Sequence, residues 1–100
     1  MYRFIRTATV KNSAYTPQAM GFATELTGWM NKKYDVNLIV GTELFGELRI
    51  HWHFDTPNLA TIDEFNNRLI VDKEYWTWLE KGREYWVEGS VHDTIVKISD

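Results

Sequence analysis

GELRIHWHFDT, residues 46–56, is the stretch whose reading decides the fold. Alternation sets Leu48, Ile50, Trp52 and Phe54 on one side and Glu47, Arg49, His51 and His53 on the other. A period of two in a run rich in aromatic and β-branched residues predicts a strand. One face is apolar enough to enter a core. The other carries four ionisable groups in a row, so it either meets water or lines an enclosure.

The neighbouring segments extend this strand into a sheet. Val36, Leu38 and Val40 alternate with Asn37, Ile39 and Gly41, and a turn near Phe45-Gly46 joins that run to the first one. The pair reads as a β-hairpin. Residues 2–11 alternate as well, with Tyr2, Phe4, Ala8 and Val10 opposite Arg3, Ile5, Thr7, Thr9 and Lys11. Arg6 falls on the more apolar side of this strand, against the pattern. Between the first strand and the hairpin lies SAYTPQAMGFATELTGWMNKKYD, residues 13–35. Thr16 suits an N-cap and Pro17 a first helical position. Ala19, Ala23, Leu26 and Met30 make a buried stripe flanked by Phe22 and Trp29, and Lys32 and Lys33 favour the C-terminal pole of the helix. Gly21 and Gly28 are expected to permit close approach to the sheet.

Downstream, Thr61 and Glu64 fit a capping box ahead of a helix through Ile62, Phe65 and Leu69. Val71-Asp72 interrupts it. Asp72 is placed to cap a second piece carrying Tyr75, Trp76 and Leu79, with Trp76 read as core and Gly82 as its close. REYWVEGSVHDTIVKIS, residues 83–99, reads as a last strand, with Gly89 marking a bulge or a close backbone approach. A bulge reverses the phase, so either His92 or Asp93 faces the side of His51.

The order β-α-β-β-α-β predicts a ferredoxin-like α+β fold: one domain over residues 1–100, a four-stranded antiparallel sheet, and the helices together on one face. The face bearing Glu47, Arg49, His51 and His53, with Ile5, Ile39 and Trp86, is left bare. Two copies packing face to face would close it into a homodimer.

The bulk numbers narrow the function. Net charge is −3 with scattered basic residues, which argues against nucleic acid as a partner. No apolar run approaches the roughly 18 residues of a membrane helix, and Arg3 and Arg6 break any signal-peptide pattern. A cytoplasmic location is expected. With no cysteine, disulfide and thiolate chemistry are excluded. Five Trp within a 15% aromatic content supply more aromatic area than so short a chain needs for a core, and such surplus often lines an interface or a cavity.

GELRIHWHF (46–54), DKEY (72–75) and GSVHDTI (89–95), with the element order, resemble the dimeric α+β barrel superfamily. That group includes NIPSNAP-like proteins and small antibiotic-biosynthesis-type monooxygenases, and the likeness is nearest to small bacterial members. The resemblance implies a homodimer whose sheets form a barrel, with a small-molecule pocket between sheet and helices or in the lumen. It does not imply one activity, and catalytic residues differ across the oxygenases of the group, so none is carried over.

Side chains on the polar face of the strand in residues 46–56 carry the chemical content. His51 and His53, two apart on a strand, point the same way and could serve as base or ligand donors. Beside them Arg49 would stabilise an anion, unless Glu43 or Glu47 pairs with it. Glu43, Glu47, Trp86 and His92 are candidate ligand-binding residues. A metal on His51 and His53 needs a third ligand, from His92, Glu88, Glu43 or Glu47, and ranks third. The leading expectation is binding of a small organic molecule without cofactor; whether it is also converted, by monooxygenase-like or proton-transfer chemistry with His51 or His53 as base, is left open. Against it stands a non-enzymatic homodimeric module whose polar sheet face satisfies itself.

Overall fold

The computed structural model describes residues 1–43 and 45–99. Strands β1 (Tyr2–Thr9), β2 (Ile39–Glu43), β3 (Arg49–Thr56) and β4 (His92–Lys97) form an antiparallel sheet in the order β2-β3-β1-β4. Helices α1 (Thr16–Tyr34), α2 (Leu59–Ile70) and α3 (Lys73–Gly82) complete the order of a ferredoxin-like α+β fold, the second helical element being split in two. The split falls at Val71-Asp72. There the Asp72 carboxylate accepts from the backbone amides of Glu74 and Tyr75 and starts α3.

The core forms where the apolar faces of β1 and β3 meet the helices. Phe4 lies directly across from Phe54 and Ala8 from Ile50. The Phe4 and Phe54 rings sit 5.7 Å apart, and Phe54 meets Phe65 of α2 edge to face at 5.4 Å. Each such aromatic pair adds about 0.5–1.5 kcal/mol beyond the area it buries. Ile50 is fully buried, so truncation to Ala there would cost about 2–5 kcal/mol. The stripe of Ala19, Ala23, Leu26 and Met30 on α1 is buried as its spacing requires. Trp52 anchors that helix: its indole donates to Thr27 Oγ1 at 3.0 Å, and Thr27 donates to the Ala23 carbonyl at 2.7 Å. A buried polar pair is thereby satisfied. Asn31 clips the exit of α1 to the start of β2 by exchanging two hydrogen bonds with the Leu38 backbone.

Local details differ from the sequence expectations. Thr16 does not cap α1. Tyr15 is the N-cap, at the end of a short 3₁₀ turn (Ser13–Tyr15), and Thr16 is already helical, its hydroxyl donating to the Ser13 carbonyl at 2.7 Å. The Thr61–Glu64 capping box is not used. Asn58 caps α2 by accepting from the Ala60 amide at 2.9 Å, so the helix starts earlier and Thr61 lies inside its first turn. Trp76 is 51% exposed rather than core, its indole donating to the Ile70 carbonyl, while Tyr75 takes the buried side. Gly82 does not close α3 in a left-handed conformation (φ −98°). It is small because a Cβ there would stand 2.4 Å from Cζ of Phe22, whose ring lies across it. Residues 83–99 are not one strand. A 3₁₀ turn (Arg83–Tyr85), a bridge from Trp86 to Val10, and a turn closed by the Ser90 amide on the Val87 carbonyl precede β4. Gly89, at φ +76°, makes that turn and is not a bulge.

Gly21 and Gly28 face solvent on α1, and a Cβ at either would meet nothing within 4 Å. They do not mediate contact with the sheet. Gly21→Ala and Gly28→Ala should each raise the unfolding free energy by about 0.5–1 kcal/mol, because alanine loses less chain entropy in a helix. Urea denaturation measures this, and a loss of stability in either variant would show that its position is packed after all.

Candidate functional site

The two faces of the sheet carry different chemistry. On the open face the register aligns β2, β3, β1 and β4 into rows. One row is Ile39, His53, Ile5 and Thr94, and the next is Gly41, His51, Thr7 and His92. The phase of β4 is thereby settled: His92 lies on the open face and Asp93 on the helix side. Arg49 and Glu43 sit opposite each other, Nε 2.6 Å from Oε2. This is an ion pair by distance. Oε2 is sealed from water and makes no aligned hydrogen bond, so the contact is ionic in character. Arg3 grips Asp55 with two hydrogen bonds of 2.8 and 3.0 Å. Glu47 lies before β3, exposed, in the bend that follows the hairpin turn.

The His51 and His53 rings lie 5.6 Å apart at a shallow tilt, with His51 resting over Gly41. Burial lowers the His53 pKa below 6.5, and the charges of Arg3 and His51 push in the same direction. Among the described residues no three His, Cys, Asp or Glu side chains gather as a metal would need, so the HxH pair has no third ligand at hand.

On the helix side stands a cavity of about 490 Å³, open at one end. Phe22, Met30, Trp52, Phe65, Leu69 and Trp86 form most of its apolar wall. Trp86 was expected on the open face. It lies on the helix side instead, its ring 5.9 Å from Trp52 and 6.3 Å from Phe22, because the chain turns before β4 and not within it. At the mouth are Ile70, Trp76 and Val91, all well exposed.

One end of the cavity is polar, and Arg6 organises it. The alternation of β1 aims Arg6 at the helices, between Phe4 and Ala8, with Trp52 and Asp93 as its cross-strand partners. Its guanidinium forms a fork on Asp93, Nε to Oδ1 at 2.7 Å and Nη2 to Oδ2 at 2.8 Å. Nη1 reaches the Tyr75 hydroxyl of α3 and Nη2 the Asn66 side-chain oxygen of α2, each at 3.4 Å. The hydrogen bonds that Arg6 donates to Asp93 hold the Arg6 pKa up against the opposing effect of burial. Burial raises the Tyr75 pKa, so the phenol keeps its proton at physiological pH. A largely buried arginine is tolerated here because a bidentate carboxylate neutralises it.

Of the residues singled out from the sequence, His51, His53, Arg49, Glu43 and His92 gather on the open face, while Trp86 joins the cavity. The sequence does not mark Arg6, Asp93, Tyr75 and Asn66 as a group. The signal was present in the sequence for Arg6 alone, as the one charge on an otherwise apolar strand face.

No protein-family model matches the chain, and no curated protein matches it. Solved structures do. A NIPSNAP family protein with unknown function from Agrobacterium tumefaciens is 21% identical, with a TM-score of 0.80, over 99% of this chain and 88% of that one. A dimeric ferredoxin-like protein from an uncultured marine organism is 13% identical, with a TM-score of 0.71, over 100% and 97%. An antibiotic biosynthesis monooxygenase is 8% identical, with a TM-score of 0.65, over the whole of both chains. The fold is the one implied by the resemblance to the dimeric α+β barrel superfamily.

The His53 environment makes a checkable prediction. By proton NMR its imidazole should titrate at a midpoint below the ordinary 6.5, and Arg3→Gln should move that midpoint part of the way up. The depressed value means that His53 favours the fold above pH 6.5, and this contribution fades as pH falls through its folded midpoint. A His53 midpoint at or above the ordinary value would contradict the geometry described.

Proposed function

We propose that the protein binds a small, largely apolar organic molecule in the cavity between sheet and helices, its polar end at Arg6, Asp93, Tyr75 and Asn66. The observation that supports this reading is the cavity itself: about 490 Å³, walled by aromatic rings, with one convergent polar cluster. Volume and lining are those of ordinary small-molecule sites. Likeness in fold to an antibiotic biosynthesis monooxygenase makes cofactor-independent oxygenation, or a related proton transfer, the chemistry to test on whatever binds. No helix among the described residues is long and apolar enough to cross a membrane.

The open sheet face supports a second element of the reading, a homodimer joined through it. Arg3 with Asp55 and Arg49 with Glu43 are paired within the face, which leaves little net charge to desolvate. Ile5, Ile39 and Thr94 offer an uncharged centre, with Ile39 48% exposed. Likeness to a dimeric ferredoxin-like protein points the same way. On this reading His51, His53 and Arg49 belong to a largely self-satisfied interface, and ligand chemistry sits on the opposite side of the sheet.

Two measurements test these elements. Nile red, a neutral apolar dye, should bind once per chain. Val91→Trp, which bulks out an exposed residue at the mouth, should weaken that binding roughly tenfold or more without lowering the melting temperature. Undiminished binding in the variant would place the dye elsewhere. Light scattering should give twice 11.8 kDa, and Ile39→Lys should give the monomer. A wild-type monomer at micromolar concentration would refute the dimer.

A further inference from the structure

We propose that the cavity selects neutral ligands bearing a carbonyl or hydroxyl group over carboxylates, and that Asp93 is the residue that sets this preference. The inference rests on the cavity-binding reading above and names the class of molecule it takes. An arginine lining an otherwise apolar pocket ordinarily marks an anionic ligand, because its fork matches a carboxylate. Here that position is already filled. Asp93 occupies the fork through both oxygens, at 2.7 and 2.8 Å, from a position directly across the β1–β4 ladder. The acceptor is part of the sheet, carried opposite Arg6 by the backbone register.

Arg6 and Asp93 are the charged groups among the lining residues, and their charges cancel. What remains for a ligand is a set of neutral-range contacts. Tyr75 accepts from Arg6, so its own proton is free to donate. Asn66 accepts from Arg6 through its oxygen, which leaves its amide protons free. Nη1 of Arg6 carries a second proton beyond the one aimed at Tyr75. These donors suit a carbonyl or hydroxyl oxygen. A carboxylate placed there would gain the same donors but would also face the Asp93 charge at a partly solvated end of the cavity, where like charges at contact distance still repel. A ligand hydroxyl, by contrast, can donate to the lone pairs that Asp93 does not spend on Arg6.

The test uses two probes of nearly the same shape, naphthyl methyl ketone and naphthoate, titrated by calorimetry at neutral pH. Wild-type protein should bind the ketone at least roughly tenfold more tightly, the scale of one hydrogen bond to a charged group. Asp93→Asn keeps the side-chain shape and leaves the Arg6 charge uncompensated, so the order should reverse. If melting shows that Asp93→Asn does not fold, Asp93→Ser is read in its place. The comparison in wild-type protein is decisive even without a variant. Naphthoate binding wild type as tightly as the ketone, or more so, would overturn the inference while leaving the cavity reading standing. An unchanged preference in a folded Asp93 variant would overturn it too. If wild type takes up neither naphthyl probe nor Nile red, the cavity reading itself falls and this inference with it.

Discussion

One carboxylate ties the three helices together. Asp72 ends α2 and starts α3, and its Oδ1 receives the amides of Glu74 and Tyr75. Its Oδ2 receives the Tyr34 hydroxyl and lies 2.8 Å from Lys33 Nζ, both at the C-terminal end of α1. The Lys33 contact, then the Tyr34 hydrogen bond, hold its pKa near 2, so the side chain is ionised at any ordinary pH. Tyr34 is locked in turn, edge-on to Phe65 at 5.7 Å with the Arg68 guanidinium 4.7 Å from its ring centre. Three helix ends therefore converge on a single charge. Tyr75 follows three residues after Asp72 on the same helix, so whatever positions Asp72 also positions the hydroxyl above Arg6.

The sheet below works as a partition. Toward the helices it presents aromatic rings and a single neutralised charge pair; toward the open side it presents two arginine–carboxylate pairs and two neighbouring imidazoles. Both surfaces come from the same strands, because successive side chains on a strand point to opposite faces. Polar groups on the helix side are costly unless saturated, which is why Arg6 carries three partners there and Arg49 on the open side needs one.

The period-two and helical patterns made the architecture legible. Leu48 through Phe54 and the Ala19–Met30 stripe each point to the core as their spacing demands, and the break at Asp72 was visible in its capping chemistry. Element ends were harder to read. Thr16 and Thr61 are both good caps, but Tyr15 and Asn58 hold those positions because the preceding 3₁₀ turn and the end of β3 determine where each helix begins. The site was legible only in part. Arg6 broke the alternation of β1, yet nothing local shows that Asn66, Tyr75 and Asp93, sixty or more residues away, converge on it. The side of Asp93 depended on whether Gly89 makes a bulge or a turn, a choice that tertiary contacts decide.

The Phe22 ring across Gly82 ties ligand size to backbone history. Phe22 forms part of the cavity wall and packs against Trp78, Tyr85 and Trp86 with ring centres about 6 Å apart, contacts it would lose by withdrawing. Position 82 can acquire a side chain only after position 22 has shrunk, and shrinking position 22 widens the pocket. Mutational routes to a larger ligand therefore run through residue 22 first, and reverting that step becomes unfavourable once anything larger than glycine occupies position 82.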